Sequence, residues 1–127
     1  VYYRASDRSE PVREYIENLP VRAQVILLGQ IEMLNRLAAT DPPLPHPFSS
    51  QVDGPLRELR CHHGNRLYRI FYQRSEGLFV LLHILRKNTG PLPQGDIDIA
   101  KARWEDFRER MNEDPRRPPR AAGHDAP

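Results

Sequence analysis

The chain has 127 residues, of which 39% are hydrophobic, and a formal net charge of +2, which is typical of one folded domain rather than of a disordered protein. Its single cysteine, Cys61, excludes an internal disulfide bond and fits a reducing compartment. No apolar run approaches the roughly 20 residues that a membrane-spanning helix needs, and the N-terminal residues lack the apolar core of a signal peptide. We therefore expect a cytoplasmic protein that makes no membrane contact.

A short strand over residues 1–5 and two helices are predicted at the start of the chain. Ser9 is the predicted N-cap of the first helix, and Pro11 fits its first turn, where a missing N–H group costs nothing. Apolar residues at helical spacing predict the second helix over residues 21–39, in which we expect a close packing contact to explain Gly29. The short link between the two helices predicts an antiparallel helical hairpin.

The middle of the chain is predicted to form a sheet. Residues 40–55 contain five prolines, so we expect an extended surface connection there rather than a helix. The segments 56–62, 66–73 and 78–86 read as strands with tight connections, which predicts an antiparallel meander. Apolar residues at steps of three and four then predict a last helix over residues 94–113.

This order of elements predicts an α+β fold. The N-terminal strand and the helical hairpin are expected to pack on one face of a mostly antiparallel four-stranded sheet, with a C-terminal helix after it, so that the other face stays partly open. Residues 1–114 would form this one domain. Residues 115–127 are rich in proline and arginine and have almost no apolar side chains, so we expect a disordered tail.

The stretch 56–74 is unusual because it places five arginines and one glutamate on predicted strands. Strict alternation along the strands puts four cationic or titratable side chains on the open face, with two apolar side chains between them. These six are Arg60, Arg69, His83, Lys87, Phe71 and Leu85. The same alternation puts Leu82 with Ile84 on the covered face and Leu81 with His83 on the open face. It also points Tyr72 and Arg86 to the covered side or its rim, a placement that a β-bulge would invert.

Such a cluster favours a nucleic-acid backbone as the partner. Single arginines on a sheet surface are usually only solvated, but several fixed guanidinium groups together match the oxygens of a phosphate. Phe71 could stack on a base beside them. Composition and alternation alone therefore indicate a binder of RNA or DNA.

Several motifs in order carry a resemblance to a known family. They are the turn glycine Gly54, the strand "LRELR" at 56–60, "LYRIFY" at 67–72, "LLH" at 81–83, the pair Arg86–Lys87, the loop Pro93 and "AKAR" at 100–103. This series resembles the RelE/ParE superfamily of bacterial type II toxins, most closely its phage-derived, HigB-like branch. The upstream "EPVREYIENLP" and the leucine-rich helix after it are similar to the helical hairpin of that family.

The resemblance implies a ribosome-dependent mRNA endonuclease that uses neither a metal nor another cofactor. In such toxins the RNA 2′-hydroxyl attacks the adjacent phosphate and the 5′-oxygen leaves. The expected partners are mRNA, the ribosome and a cognate helix-turn-helix antitoxin, with DNA contacted only through the antitoxin complex. The positions that the resemblance carries over are Arg60, Arg69 and the pair Arg86–Lys87.

Roles follow from the chemistry. Arg69 and Arg60 would stabilise the charge that develops on the phosphorane. His83 could transfer protons, Lys87 could do so if neighbouring cations depress its pKa, and Glu58 would act as a base or orient an arginine. The predicted catalytic set is therefore Arg69, Arg60, Lys87 and His83, and the predicted RNA-binding set is Arg57, Arg66, Phe71, Arg86 and Glu58.

Two other function classes stay open. A ParE-like inhibitor that binds DNA gyrase would share the architecture without the RNA-cleaving site, and a non-catalytic RNA-binding module would use the cations only to position phosphates. A metal site is not expected, because His62 and His63 in the hairpin and His46 in the connection lack a second ligand pair at workable spacing.

Overall fold

The computed structural model describes residues 1–113 and 121–124, and within them it has three helices and one sheet of four strands. The helices are α1 (Pro11–Glu17), α2 (Val21–Asn35) and α3 (Gln94–Glu113). The strands are β1 (Ser49–Asp53), β2 (Leu56–His63), β3 (Arg66–Ser75) and β4 (Leu78–Arg86). They lie in the sheet in chain order and every neighbouring pair is antiparallel, which confirms the α+β prediction.

The helical hairpin covers one face of the sheet. Leu27, Ile31 and Leu34 lie at helical spacing on α2 and are buried against sheet residues that include Leu59 and Ile70. Cys61 lies in the same core, where burial raises the pKa of its thiol to about 12. The cysteine is thus a buried apolar side chain rather than a reactive group.

The other face carries a second, smaller core beneath α3. Ile97, Ala100 and Phe107 of this helix pack with Phe71 and Leu82. Farther along the same face, towards Arg60 and Lys87, side chains keep partial exposure. The face that was predicted to be partly open is therefore covered around Phe71 and accessible at its other end.

The fourth strand of the sheet is not the predicted one. Residues 1–5 contribute only an isolated parallel bridge between Tyr2 and Leu81, beside β4. The fourth strand is β1, which lies inside the segment expected to be a plain surface connection and pairs with β2. Two serines and a glutamine in β1 hide it from pattern analysis, because the strand is held by the backbone ladder rather than by an apolar face.

A β-bulge in β4 changes which side chains share a face. Phe71 pairs with His83 and Tyr72 with Leu81, so Leu82 is the extra residue. Leu81 therefore packs with Ile84 in the core between the helical hairpin and the sheet, and Leu82 packs beneath α3. The predicted placement of Leu81 and Leu82 was wrong for this reason, whereas the residues from His83 onward keep the predicted face.

Two helix boundaries and the surroundings of one glycine also differ from the prediction. Glu10, not Ser9, is the N-cap of α1, and its backbone N–H donates to the side chain of Glu14 at 2.8 Å. Helix α2 ends at Asn35 rather than at residue 39. No atom of a described residue lies within 4 Å of the position that a Cβ of Gly29 would take, so none of these residues makes the expected packing contact.

Four residues of the segment that was expected to be a disordered tail are described, and they lie against the helical hairpin. The backbone N–H of Ala122 donates to Asn35 at 2.8 Å, and the Asn35 amide donates back to the Ala122 carbonyl at 3.0 Å. The rest of the predicted tail from residue 115 onward lies outside the described residues. Among the helices that the structure describes, none has the length and apolarity required to span a bilayer.

Candidate nucleic-acid interface

The centre of the candidate site is a cluster of two arginines around one glutamate, which we call the arginine pair. Arg60 on β2 and Arg69 on β3 are direct partners in the antiparallel register. Glu58 lies between them: its carboxylate accepts a hydrogen bond from Arg60 at 2.9 Å and forms an ion pair with Arg69 at 3.6 Å. Ser50 on β1 donates a further hydrogen bond to the same carboxylate at 2.9 Å.

The arginine pair is mostly buried and not fully satisfied. The side chains of Arg60 and Arg69 are 17% and 9% exposed and that of Glu58 is 3% exposed. The Nε atoms of both arginines are buried and make no hydrogen bond to any described residue. Two guanidinium groups against one carboxylate leave a surplus positive charge, and a buried N–H group without an acceptor is costly.

A groove continues the site at the end of the sheet where β3 begins and β4 ends. We call it the cationic groove; it has a volume of about 460 Å³ and is lined by Asn65, Arg66, Arg86, Lys87 and Asn88. The backbone N–H of Lys87 donates to Leu67 at 3.1 Å, so the ladder extends one residue beyond β4. Lys87 follows Leu85, the partner of Arg69, by two residues, which places it roughly 7 Å farther along the same face.

The cations of this groove are held differently from those of the arginine pair. Within residues 1–113 and 121–124, neither Arg66, Arg86 nor Lys87 forms an ion pair with an acidic side chain. Arg66 and Arg86 are exposed and Lys87 is half-buried. Unpaired cations around a concave surface attract a polyanion, because their field is not neutralised locally.

His83 lies beside Phe71, with the two ring centres 5.9 Å apart, and both of its ring nitrogens are engaged. Nε2 lies 2.6 Å from a carboxylate oxygen of Asp96, and Nδ1 lies 3.3 Å from Arg103. Arginine can only donate, so Nδ1 must be the acceptor and Nε2 must carry the proton that Asp96 accepts. This arrangement ties the first turn of α3 to β4.

Arg103 is held by more than the histidine. The same Nη1 that faces His83 donates to the Leu82 carbonyl at 2.8 Å, and the guanidinium lies 5.8 Å from the ring centre of Tyr3. Burial lowers the pKa of Arg103 from its ordinary value. The side chain therefore bridges α3, the bulge in β4 and the N-terminal segment.

Two residues of the predicted RNA-binding set lie away from the accessible surface. Phe71 is fully buried beneath α3, so its ring has no face free for a base. Arg57 lies on the hairpin side of the sheet, where it donates to Ser49 at 3.3 Å and to the Leu44 carbonyl at 3.1 Å. It anchors the proline-rich connection, because alternation on β2 sends it opposite to Glu58 and Arg60.

The remaining predicted residues other than His83 come together in the two parts of the site. The arginine pair contains Arg60, Arg69 and Glu58, and the cationic groove contains Arg66, Arg86 and Lys87. Sequence reasoning missed Ser50, Asp96 and Arg103, of which only Arg103 had a signal, as the last residue of "AKAR". In the described parts of the chain, no three His, Cys, Asp or Glu side chains come close enough to hold a metal ion.

Comparison with known proteins gives one family. Residues 14–105 match the family described as "Phage derived protein Gp49-like (DUF891)", which is associated with RelE-like toxins. The match covers α2 and the whole sheet and reaches into α3. A search of curated proteins found no significant match.

Proposed function

The chain belongs to the phage-derived Gp49-like family, and on that premise we propose that it is the toxin of a type II toxin–antitoxin system that cleaves mRNA in the ribosome without a metal ion. Within the RelE/ParE superfamily we propose the HigB-like branch, which its sequence pattern resembles most closely. It would act in the cytoplasm and be neutralised by a helix-turn-helix antitoxin, through which alone it would contact DNA.

One observation carries this proposal: two buried arginine N–H groups without acceptors lie next to a groove of unpaired cations. The Nε atoms of Arg60 and Arg69 make no hydrogen bond to a described residue, and Oε2 of the adjacent Glu58 accepts none either. A phosphodiester brings anionic oxygens that suit the planar guanidinium group. The cationic groove extends from the same face, so a polynucleotide held there would bring one phosphate to the arginine pair.

The chemistry would use the 2′-hydroxyl of the RNA as the nucleophile. Its oxygen forms a bond to the adjacent phosphorus as its proton passes to solvent water, the bond from phosphorus to the 5′-oxygen breaks, and the products are a 2′,3′-cyclic phosphate and a 5′-hydroxyl. The phosphorane between these states gains negative charge, which Arg60, Arg69 and Lys87 would stabilise. Lys87 is the cation of this set without an acidic partner among the described residues, and we assign to it the delivery of a proton to the 5′-oxygen.

Glu58 and His83 are better suited to positioning. Glu58 is engaged by both arginines and by Ser50, which supports the orienting role rather than that of a general base. His83 would transfer a proton only if the substrate displaced Arg103 from Nδ1, because Nε2 already donates to Asp96. We therefore assign His83 to holding α3 in place beside the site.

A ribosome-supplemented mRNA cleavage assay tests the proposal. The wild-type chain should yield fragments that end in 2′,3′-cyclic phosphate, and Arg60→Ala and Lys87→Ala should each lower the rate by about 100- to 1000-fold. Lys101→Ala is the matched control, since Lys101 is exposed on α3 and pairs with Asp53 at the surface. Circular dichroism of each variant would verify that it is folded.

Two other outcomes would replace the proposal. Inhibition of gyrase supercoiling without any RNA cleavage would support a ParE-like inhibitor. RNA binding that weakens in Lys87→Ala, without cleavage by the wild type in the presence or absence of ribosomes, would support a non-catalytic RNA-binding module.

A further inference from the structure

Helix α2 exposes an apolar stripe on the side that faces away from the sheet. Val21, Val25 and Leu28 are 74%, 64% and 47% exposed, and their spacing places them on one face of the helix. Of the large hydrophobic side chains that the described residues leave exposed, most belong to this stripe, and the other two, Phe48 and Ile99, are isolated. Scattered exposed apolar residues are ordinary, but a contiguous stripe indicates an interaction surface.

Gly29 lies on the same stripe, and none of the described residues packs against it. It follows Val25 by one helical turn, it is exposed, and no atom of a described residue lies within 4 Å of the position of an added Cβ. A glycine in the middle of a helix lowers helix stability relative to alanine. A glycine allows a neighbour to approach the helix closely, so the missing side chain is useful here only if another molecule covers this face.

We propose that this face binds a second copy of the chain, with the two α2 helices antiparallel about a two-fold axis. In the register that sets Val25 over Gly29 of the partner subunit, the same contact repeats on the other side of the axis, as an isologous interface requires. The valine then fills the space that the missing glycine side chain leaves.

The charges on α2 agree with this register. Arg22 stands three residues before Val25, and Glu32 stands three residues after Gly29, so the antiparallel pairing brings Arg22 to Glu32 of the partner subunit. Both side chains are exposed, and neither forms an ion pair with another residue in the described parts of the chain. The complementarity is between two parts of one face, which favours a second copy over an unrelated partner.

The dimer would be weak and would leave the candidate nucleic-acid interface free. Each copy contributes three apolar side chains, Arg22 and Glu32 to the contact. This is far fewer than the roughly 20 to 30 residues that each side contributes to a standard interface. A dissociation constant in the micromolar to millimolar range is therefore expected. The α2 helix lies on the opposite side of the sheet from Arg60 and Lys87, so the sites of both copies would face outward. The inference does not depend on the proposed RNA cleavage.

Sedimentation velocity over a range of concentrations tests the interface. The wild-type chain should shift from monomer to dimer, and Val25→Glu should raise the dissociation constant by about tenfold or more, because the two introduced carboxylates lie near the axis. The Val25 side chain is exposed in the monomer, so the variant should fold normally, with circular dichroism as the check. Phe48→Ser, which removes an exposed apolar side chain elsewhere, should dimerise like the wild type.

Charge reversal tests the register. Arg22→Glu and Glu32→Arg should each weaken the dimer, and the double variant should recover most of the affinity, because it restores opposite charges in each pair. Gly29→Ala should raise the melting temperature of the monomer by a few degrees, because alanine favours a helix more than glycine does. It should also weaken the dimer, because the added methyl group would occupy the space that Val25 of the partner subunit fills.

Three results would overturn the proposal. They are a wild-type chain that stays monomeric at about 1 mM, a dimer that Val25→Glu leaves unchanged, and single charge reversals that the double variant does not rescue. Capture of another protein by a monomeric wild type, lost in Val25→Glu, would assign the face to a different occupant and also contradict self-association.

Discussion

The arginine pair and the cationic groove lie next to each other on one sheet face, yet their cations are held in opposite ways. Arg60 and Arg69 are mostly buried and share the carboxylate of Glu58. The cations of the groove are exposed or half-buried, and no acidic side chain pairs with them within the described residues. The first group is fixed in geometry by its partners, and the second is free to bind.

This difference separates stability from affinity. A buried ion-pair cluster is costly to disrupt, because the removal of one partner leaves the other charges buried without compensation. Exposed cations contribute little to folding and act on a polyanion through a field that salt screens. Substitutions in the arginine pair should therefore affect folding first, and substitutions in the groove should affect RNA binding and cleavage while leaving the stability of the fold unchanged.

The largest effect is expected at Glu58. Glu58→Ala should lower the free energy of unfolding by about 3–5 kcal/mol, because two neighbouring guanidinium groups would lose their carboxylate in a buried setting. Urea unfolding followed by circular dichroism measures it. Asp53→Ala, which removes an acid from a surface ion pair with Lys101, should cost less than about 1 kcal/mol. Equal losses for the two variants would show that the buried cluster is not held by Glu58.

The next effect concerns Phe71, which sits beneath α3 rather than on the free surface. Phe71→Leu should lower the free energy of unfolding by about 1–2 kcal/mol, because a smaller side chain leaves a cavity in that core. RNA affinity, measured under conditions where the variant is folded, should stay unchanged. Phe48→Leu at a partly exposed site is the control for the substitution itself. A loss of RNA affinity in Phe71→Leu alone would mean that α3 moves aside and lets the ring stack on a base.

A smaller effect, on RNA affinity rather than on stability, is expected in the cationic groove. Lys87→Ala and Arg66→Ala should each reduce the slope of log affinity for single-stranded RNA against log salt concentration by about 0.7. Each should change the free energy of unfolding by less than about 0.5 kcal/mol. Fluorescence anisotropy with a labelled RNA gives the slope, and Lys101→Ala serves as the matched control. An unchanged slope in both groove variants would show that their cations do not contact phosphate.

The smallest effect concerns Tyr3 and the free energy of unfolding at high pH. Burial, and then the hydrogen bond from its hydroxyl to Asp106 at 2.6 Å, raise the pKa of Tyr3 to about 12 from an ordinary 10.0. A raised folded pKa means that this contribution to stability is complete below pH 10.0 and is lost as the pH rises towards 12. Tyr3→Phe should therefore flatten part of the fall in stability over that range.

The buried thiol of Cys61 also has a raised pKa of about 12, so the measurement is the difference between the wild type and Tyr3→Phe in pH-dependent urea unfolding. The two curves should differ in slope only above pH 10.0. Parallel curves throughout would show that the tyrosine does not tie the N-terminal segment to α3.

Much of the fold followed from periodicity. The bounds of α3 agree with the predicted 94–113, and the meander agrees with β2, β3 and β4, because apolar spacing and turn residues act locally. The strand β1 was missed because Ser49, Ser50 and Gln51 show no apolar alternation, and the strand forms by backbone pairing with β2, which begins at Leu56. Propensity says little about such an edge strand, whose stability comes from the ladder.

The candidate site was likewise predictable where it depends on regular strands, and not where it depends on contacts between elements. Alternation placed Arg60 and Arg69 on one face, and the register agrees, because these strands are regular across that region. The burial of Phe71 and the contacts of His83 with Asp96 and Arg103 depend on how α3 docks across the sheet, which no local pattern contains. The surroundings of Phe71 and His83 are therefore set by α3, which follows the sheet in the chain.

The extra residue in β4 has a consequence for comparing relatives. Because Leu82 and His83 both point towards α3, the strand counts one residue more than its neighbour over the same length. A homologue with an unbulged β4 would need its alignment gap at position 82, not in the adjoining loops. A gap placed elsewhere would exchange inward and outward positions and assign the equivalent of His83 to a core leucine.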